Sequence, residues 1–401
     1  MINTKKISDN LNLIVKNLNE KAKEKADCTF FGGGDYDIVK IIKSDFPLSQ
    51  GVAFLSEGDF ARFNGVNEKV KEDGGTIYGV VLNKGFDLTV ENVCGVFNVS
   101  DGVRYVVIFD RNLLDAGLYY ATVRNIPVIY AFPLSDKGGL FKKTVEIKNG
   151  GIKGAFAVNC KKYVVLYEEE NIASGYINVI KHLITLLDYR FCYGIGVFSS
   201  GDETAYNLLR DCVKQTYNAV NSEDKAEKIL YYYLASELAD AYAFGKLFSC
   251  SSVIYAEKIL KDEDYSINAV LELFTKLYKI YALYCKEEIT FPIIIDYNER
   301  AEKLSKITRY HETGLAENYK SQLQLLDRSK KRIDEVVATL KKEIILTCAL
   351  IPEIEKTFYS LGGKKQKGKN VNYAVKYAGD TDKVNFLSVI RETGLLEGIK
   401  G

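Results

Sequence analysis

The sequence predicts a parallel α/β domain followed by an all-α domain. Short apolar runs in the first part of the chain alternate with stretches of helical period, as in a parallel sheet that helices cover on both faces. Beyond about residue 168 the short runs stop, and long helical patterns take their place. We therefore expect a Rossmann-like α/β domain at 1–168 and an α-helical domain at 169–401.

The strands of the first domain are predicted from apolar runs that have turn residues on either side. Gly51–Leu55, for example, follows a proline and precedes Ser-Glu-Gly, which is typical of a buried strand that ends in a turn. The other predicted strands are Thr76–Leu82, Tyr105–Phe109, Pro127–Phe132 and Tyr163–Tyr167. The predicted helices between them include Phe60–Asp73 and Leu113–Arg124.

Helical spacing predicts the elements of the second domain. In Ile172–Phe191, apolar residues recur at i, i+3 and i+4, which indicates a helix with one apolar face. Further helices are predicted over Asp202–Asn218, Asp224–Phe248, Ser266–Tyr284 and Arg328–Leu350. The last of these is expected to end before Pro352, since proline cannot continue a helix.

Composition and charge exclude several classes of function. Lys and Arg number 54 and Asp and Glu 53, and the resulting net charge of +1 argues against a nucleic-acid partner or a membrane surface. No apolar stretch approaches the length of a membrane span. Met1–Lys25 lacks the apolar core of a secretion signal, so we expect a cytoplasmic protein.

Cysteine and histidine usage limits the metal and redox chemistry that the chain can carry. The 8 cysteines include no CxxC pair, so neither a zinc knuckle nor a dithiol redox motif is indicated. In a reducing compartment, buried free thiols are the simpler interpretation. The 2 histidines are His182 and His311, and we expect His311 at the surface.

Two segments stand where a nucleotide-binding fold could hold phosphate. Phe31–Asp35 contains a run of glycines before a helical stretch, and such a turn can bring backbone N–H groups to a phosphate. It lacks both the GxGxxG spacing and a Walker lysine, so we favour a tight strand-to-helix turn. After Tyr105–Phe109 the chain has Asp110 and Arg111 in place of glycines, which is typical of an ordinary capped helix start.

The helix Ile172–Phe191 carries the most information about function. It places Asn178, Lys181 and His182 within about one turn, where the three side chains could line a polar site. From these residues alone, an amphipathic helix is the simpler interpretation. A Ser-His-Asp system is not indicated, because the sequence has no GxSxG elbow.

The same helix resembles the start of the helical domain in the iron-containing alcohol dehydrogenase and dehydroquinate synthase superfamily, above all in its sn-glycerol-1-phosphate dehydrogenase branch. Ala173–Tyr176 and Leu186–Tyr189 match the pattern of that branch, and Asn178–Lys181 matches the dehydroquinate synthase version except at its acid. Thr381–Glu397 is similar to the family's closing pattern. The resemblance spans nearly the whole chain and implies the dehydroquinate synthase-like fold.

The resemblance also implies that the family's metal site is lost. The family holds zinc or iron with one carboxylate and two imidazoles, and these positions fall on Asn178, Ser252 and Ser266. An amide is a poor ligand for such a metal. Neither His182 nor His311 falls on a ligand position, so we expect no metal. The candidate residues of the cleft between the domains are Asn178, Lys181, His182, Ser252 and Ser266.

The cofactor loops are altered in the same way. The glycine-rich loop that holds the pyrophosphate of the nicotinamide cofactor in this family falls on Phe109–Asp115, where only Asp115 matches. The later loop over the cofactor becomes Pro133–Ser135. We therefore expect no bound NAD(P). The degraded cofactor positions are Asp110, Arg111, Asp115, Pro133 and Ser135.

Three hypotheses follow, and we favour the first. The chain is a degenerate, non-catalytic member of the superfamily that keeps the fold and an interdomain cleft for a small-molecule or phosphorylated ligand. It would act as a homodimer or beside an active homologue. Alternatively, it is an active NAD(P)-dependent sn-glycerol-1-phosphate or polyol dehydrogenase with a zinc or iron site rebuilt from both histidines. The third is a metal-free enzyme that uses Lys181, Asp115 or Asp188 as acid or base.

Overall fold

The structure, a computed structural model, describes most of the first 242 residues and short stretches beyond them. The described residues are 2–21, 27–82, 86, 88–89, 91–92, 102–135, 138–149, 152–168, 171–194, 200–242, 310–311, 350 and 353–363. They fall into two compact units. The first comprises Met1–Gly175 and Lys214–Tyr242, and the second comprises Tyr176–Val213 and Ala243–Gly401. The predicted domain boundary at residue 168 stays a prediction.

The first unit is built on a six-stranded parallel sheet with the strand order β1-β8-β5-β4-β2-β3. Its strands are β1 (Cys28–Gly32), β2 (Gln50–Leu55), β3 (Thr76–Val81), β4 (Val103–Ile108), β5 (Val128–Tyr130) and β8 (Lys162–Leu166). The strands predicted from apolar runs are confirmed. The apolar runs do not predict β1, because its short apolar stretch, Phe30 and Phe31, leads directly into a run of glycines that is typical of a turn.

Side-chain alternation along the strands divides the core between the two faces of this sheet. The helices of the unit are α1 (Thr4–Lys21), α2 (Asp35–Asp45), α3 (Phe60–Lys71), α4 (Leu114–Arg124) and α7 (Lys225–Tyr242). On one face, Tyr105 and Val107 join a buried cluster with α2 and α3. On the other face, Val106 and Ile108 meet α4 at Gly117. Burial on both faces explains why the strands read as continuous apolar runs.

Helix α1 covers the open edge of the sheet along β1. The side-chain amide of Asn12 accepts a hydrogen bond from the Phe30 N–H (2.8 Å) and donates one to the Phe30 carbonyl (3.0 Å). These are backbone groups that an uncovered edge strand would offer to another chain. The buried apolar residues of α1 recur at helical spacing, a signal that its many polar residues obscure: Ile7, Leu11, Val15 and Leu18.

Helix α7 is bonded to α1 although the two are far apart in the sequence. The Lys6 ammonium donates to the Glu227 carboxylate at 2.7 Å, across a separation of 221 positions. The Tyr242 hydroxyl donates to Oδ1 of Asn19 at 2.6 Å, across 223 positions. The sheet unit therefore includes a helix that the chain adds only after two further helices.

A β-hairpin follows β5 in the same unit. Strands β6 (Thr144–Asn149) and β7 (Ile152–Ala157) pair antiparallel, with Thr144 opposite Ala157. Glu146 and Lys148 interrupt the apolar pattern of β6, and Lys153 and Gly154 interrupt that of β7, so the sequence patterns do not predict these strands.

The remaining described elements agree with the predicted helices where they overlap. Helices α5 (Ile172–Gly194) and α6 (Ser200–Ala219) are confirmed, as is most of the helix predicted over Asp224–Phe248. The structure also describes a helix over 353–360, a short strand, β9 (Tyr310–His311), and two 3₁₀ helices, Glu57–Asp59 and Arg111–Leu113. The predicted helix Ser266–Tyr284, and nearly all of Arg328–Leu350, lie outside it. Within the described part of the chain, no helix has the length and apolar character needed to cross a membrane.

Candidate functional site

The topology of the sheet singles out the carboxyl ends of β2 and β4 as the place for a ligand. The two strands are neighbours, and the chain leaves them on opposite faces, toward α3 after β2 and toward α4 after β4. In open α/β sheets, ligands bind at such a reversal, outside the carboxyl ends of the strands. We call the segments 56–59 and 109–113, which follow these strands, the switch point.

Backbone N–H groups at the switch point are bonded to the chain's own carboxylates. Oδ2 of Asp59 accepts hydrogen bonds from the Ser56 N–H (3.2 Å) and the Ser56 hydroxyl (2.7 Å). Oδ1 of Asp110 accepts from the Asn112 N–H (2.8 Å) and from the Asn112 side-chain amide (3.0 Å). Such N–H groups at helix starts are the ones that bind phosphate in nucleotide-binding folds.

Arg62, in the first turn of α3, lies across the ends of several strands. Its Nε donates to both carboxylate oxygens of Asp35, at 2.8 and 2.9 Å, and its Nη1 donates to the Ala131 carbonyl at 2.6 Å. Its Nη2 donates to Asp35 and to the Tyr167 hydroxyl. The guanidinium also stacks 5.2 Å from the ring centre of Phe109 and 4.6 Å from that of Tyr167. We call these residues the Arg62 cluster.

Burial and pairing together set the protonation of the Arg62 cluster. Burial opposes the charged guanidinium, but the hydrogen bonds to Asp35 and the charges nearby outweigh it, and the pKa of Arg62 is raised. Burial raises the pKa of Tyr167 well above its ordinary value. Near neutral pH the Arg62 guanidinium therefore stays protonated and the Tyr167 phenol stays neutral, so neither group exchanges a proton there.

The glycines between β1 and α2 each meet a specific neighbour. A side chain at Gly32 would overlap the backbone of Thr4 at the start of α1. Asp37 lies against Gly33, where an added Cβ would come within 2.8 Å of its Oδ2. Gly34 has a φ of 66°, which glycine adopts without strain. The predicted strand-to-helix turn is confirmed, and a buried carboxylate packs against it.

The structure brings the segment after β4 into contact with the loop after β5. Arg111 stacks 5.9 Å from the ring centre of Phe132 and donates from Nη2 to the Gly138 carbonyl at 2.6 Å. Asp115, in α4, forms an ion pair with Lys142. Two of the predicted cofactor positions, Arg111 and Asp115, are thus engaged with other parts of their own chain.

The loop after β5 is also held by α7. Glu237, which is buried, accepts hydrogen bonds from the N–H groups of Gly139 (2.6 Å) and Leu140 (3.0 Å). Of the two remaining cofactor positions in this loop, Ser135 is buried and Pro133 is exposed. The buried Glu237 carboxylate therefore holds the backbone of this loop at Gly139 and Leu140 against α7.

Helix α5 buries two of its three candidate residues. Asn178 and His182 are each 7% exposed, whereas Lys181 is exposed and its Nζ lies 3.4 Å from Oδ1 of Asn178. Ser252 and Ser266 lie outside the described residues, so their convergence on Asn178 stays a prediction. Within the described residues, no three or more His, Cys, Asp or Glu side chains are placed to hold a metal ion together.

Comparison with known proteins bears on the fold. The sequence matches no protein-family profile and no curated protein sequence. Glycerol dehydrogenase from Schizosaccharomyces pombe is similar over 85% of this chain and 92% of its own, with a TM-score of 0.50 at 12% identity. The chain has the dehydroquinate synthase-like fold. The predicted fold class is thereby confirmed, and at this identity the likeness extends to the fold alone.

Two further solved structures are similar at a lower level. A probable glycerol dehydrogenase from Sinorhizobium meliloti matches 82% of this chain and 98% of its own, with a TM-score of 0.46 at 12% identity. An iron-containing alcohol dehydrogenase from Corynebacterium glutamicum matches 84% and 94%, with a TM-score of 0.44 at 11% identity.

The sequence patterns do not mark Arg62 or Tyr167 as site residues, and they include Asp35 only as the end of the glycine segment Phe31–Asp35. Tyr167 directly follows β8, and Asp35 begins α2 two glycines after β1; these positions are a signal that places both residues at the carboxyl edge of the sheet. Nothing in the sequence around Arg62 shows that its side chain reaches across the strand ends.

Proposed function

We propose that this chain is a non-catalytic protein that keeps the dehydroquinate synthase-like fold without nicotinamide or metal chemistry. The observation that supports this most is Arg62, whose guanidinium bonds Asp35, Tyr167 and the Ala131 carbonyl beside the switch point. A cofactor bound there would have to displace that side chain. It would also leave the Asp35 carboxylate without its cation, which is costly in a partly buried place.

The charges around the switch point also disfavour a pyrophosphate. Asp59 and Asp110 take up N–H groups of the loops after β2 and β4, and Asp35 and Asp37 stand in the first turn of α2. Negative charges in these places repel a phosphate at close range. Arg62 would attract one, but its charge is already engaged by Asp35. The side chains present therefore do not fit the pyrophosphate of a nicotinamide cofactor.

The described part of α5 does not fit zinc or iron either. The side chain of Asn178 is uncharged and could bind such a metal only through its carbonyl oxygen. The Lys181 ammonium lies 3.4 Å from that oxygen and would repel a cation. In an active dehydrogenase of this fold, the metal would polarise the substrate hydroxyl or carbonyl as a Lewis acid.

A chain without catalytic activity would act by binding a ligand or a partner protein. The ligand would be a small or phosphorylated molecule in a cleft, and the partner would be a second copy of the chain or an active homologue. These partners follow from the resemblance.

Titration of the full chain with NADH and NADPH tests the proposal. We expect no saturable binding up to about 1 mM, the upper end of ordinary substrate constants, with or without added zinc or iron. Nicotinamide fluorescence and calorimetry are the measurements, and an active glycerol dehydrogenase titrated alongside is the positive control. Saturable binding, together with hydride transfer from glycerol or sn-glycerol 1-phosphate, would overturn the proposal in favour of an active dehydrogenase.

A further inference from the structure

A cavity of about 630 Å³ opens at the amino-terminal end of the parallel sheet, the end opposite the switch point. Cys28, Pro127 and Lys162 line it from the starts of β1, β5 and β8, and Tyr242 lines it from the last turn of α7. Cavities of this size hold small molecules. Neither the fold comparison nor the proposed function assigns a ligand to this end of the sheet.

Lysine side chains dominate the charge of this cavity. The lysines in its lining are Lys142, Lys143, Lys161 and Lys162. Asp27 is the one carboxylate among the described lining residues. Lys142 is paired with Asp115, Lys161 packs its ammonium 4.5 Å from the ring centre of Tyr163, and the Lys162 ammonium donates to the Cys160 carbonyl at 3.3 Å. Even with Lys142 neutralised, the lining keeps a net positive charge, which raises the local concentration of anions.

The remaining lining is apolar or neutral. Phe141, Ile126 and Ala241 give the cavity an apolar wall. Burial raises the pKa of Cys28 to about 12, and it also raises the pKa of Cys160. Both thiols are therefore uncharged at neutral pH and do not repel an anion. An apolar wall beside ammonium groups matches a molecule that has an organic body and an anionic end.

We propose that this cavity binds a small organic phosphate, with the phosphate at Lys143 and Lys162 and the organic part against Phe141 and Ile126. A phosphate group suits this place because its oxygens accept charge-assisted hydrogen bonds from more than one ammonium group at once. The site lies at the other end of the sheet from the switch point, so it does not depend on the absence of a nicotinamide cofactor.

Titration of the full chain with phenyl phosphate tests the site, because this probe joins a phosphate to a small aromatic body. We expect saturable binding with a Kd of about 1 mM, as usual for a ligand of this size. The double variant Lys143→Gln/Lys162→Gln should bind at least about tenfold more weakly, since it removes two charge-assisted contacts. The matched control Lys40→Gln/Lys69→Gln, on α2 and α3, should bind like the wild type.

Several outcomes would overturn this inference. They are the absence of saturable binding up to about 10 mM, and equal affinity in the Lys143→Gln/Lys162→Gln variant. Inorganic phosphate that binds as tightly as phenyl phosphate would remove the role of Phe141 and Ile126. Thermal unfolding shows whether the double variant is folded. If it is not, Lys143→Gln alone, at an exposed position, should still weaken binding about threefold, and an unchanged affinity would count against the site.

Discussion

The two ends of the parallel sheet use their polar groups differently. At the carboxyl end, Arg62 bonds Asp35, while Asp59 and Asp110 bond backbone N–H groups of their own loops. At the amino end, lysines surround a cavity of about 630 Å³. Ligands generally bind at the carboxyl end because helix-start N–H groups point there. Side chains of the same loops can therefore take up those N–H groups at the carboxyl end, while a cavity opens at the amino end.

Substitution of Gly32, at the carboxyl end of β1, should destabilise the protein most. In Gly32→Ala, the new Cβ would overlap the backbone of Thr4, so α1 would have to move from the edge of the sheet. We expect a loss of about 3 kcal/mol in the free energy of unfolding, the upper range for overpacking. Urea unfolding measures this loss.

Gly65→Ala, in the middle of α3, is the matched control for this substitution. Nothing lies within 4 Å of the Cβ added there, so alanine should stabilise the helix by about 0.5–1 kcal/mol. A Gly32→Ala variant as stable as the wild type would contradict the close contact between α1 and β1.

A medium effect is expected from Arg62→Met. The substitution removes charged hydrogen bonds and two ring contacts, which should cost about 2 kcal/mol of unfolding free energy. The side chains of Arg62 and Asp35 are 27% and 40% exposed, so the loss should stay below that of a fully buried pair. Lys69→Met on the same helix should change stability by less than about 0.5 kcal/mol. Identical denaturation curves for the two variants would contradict the stabilising bonds of Arg62, which are the main support for the proposed function.

The smallest effect is at the amino end and depends on pH. The Tyr163 hydroxyl donates to Oδ2 of Asp45 at 2.6 Å, and this bond, with a second from Ser44, lowers the pKa of Asp45. A carboxyl group whose pKa is lowered by folding stabilises the folded state at pH values above its pKa in the unfolded chain, about 3.9. This stabilisation is lost as the pH falls through the pKa of the group in the folded state. Tyr163→Phe should thus cost about 0.5 kcal/mol at pH 7 and less at pH 3. Unfolding at both values measures it, and an equal cost at both would refute the coupling.

Much of the fold is predictable because local patterns encode it. The apolar run Tyr105–Phe109 and the helical spacing of Ile172–Phe191 both predict elements that the structure confirms. Helix α1 carries the same kind of signal in Ile7, Leu11 and Val15, but lysine and asparagine around them obscure it. The hairpin strands β6 and β7 carry almost no such signal, because charged residues and a glycine interrupt their apolar pattern.

The contacts of the candidate site are not encoded locally. Arg62 bonds the carbonyl of Ala131, 69 positions away, and the hydroxyl of Tyr167, 105 positions away. No motif or period contains a contact at such a separation. The resemblance directs attention to Asp110 and its neighbours, and the structure adds what those residues bond. The roles of Asn178, Ser252 and Ser266 as lost metal positions stay predictions.

The pairing of α1 with α7 affects how the protein can fold during its translation. A chain is made from its amino terminus, and domains form as units once their parts are available. Lys6 cannot meet Glu227 until synthesis has passed residue 227, and Asn19 cannot meet Tyr242 until it has passed residue 242. One flank of α1 therefore stays uncovered until more than half of the 401 residues have been translated.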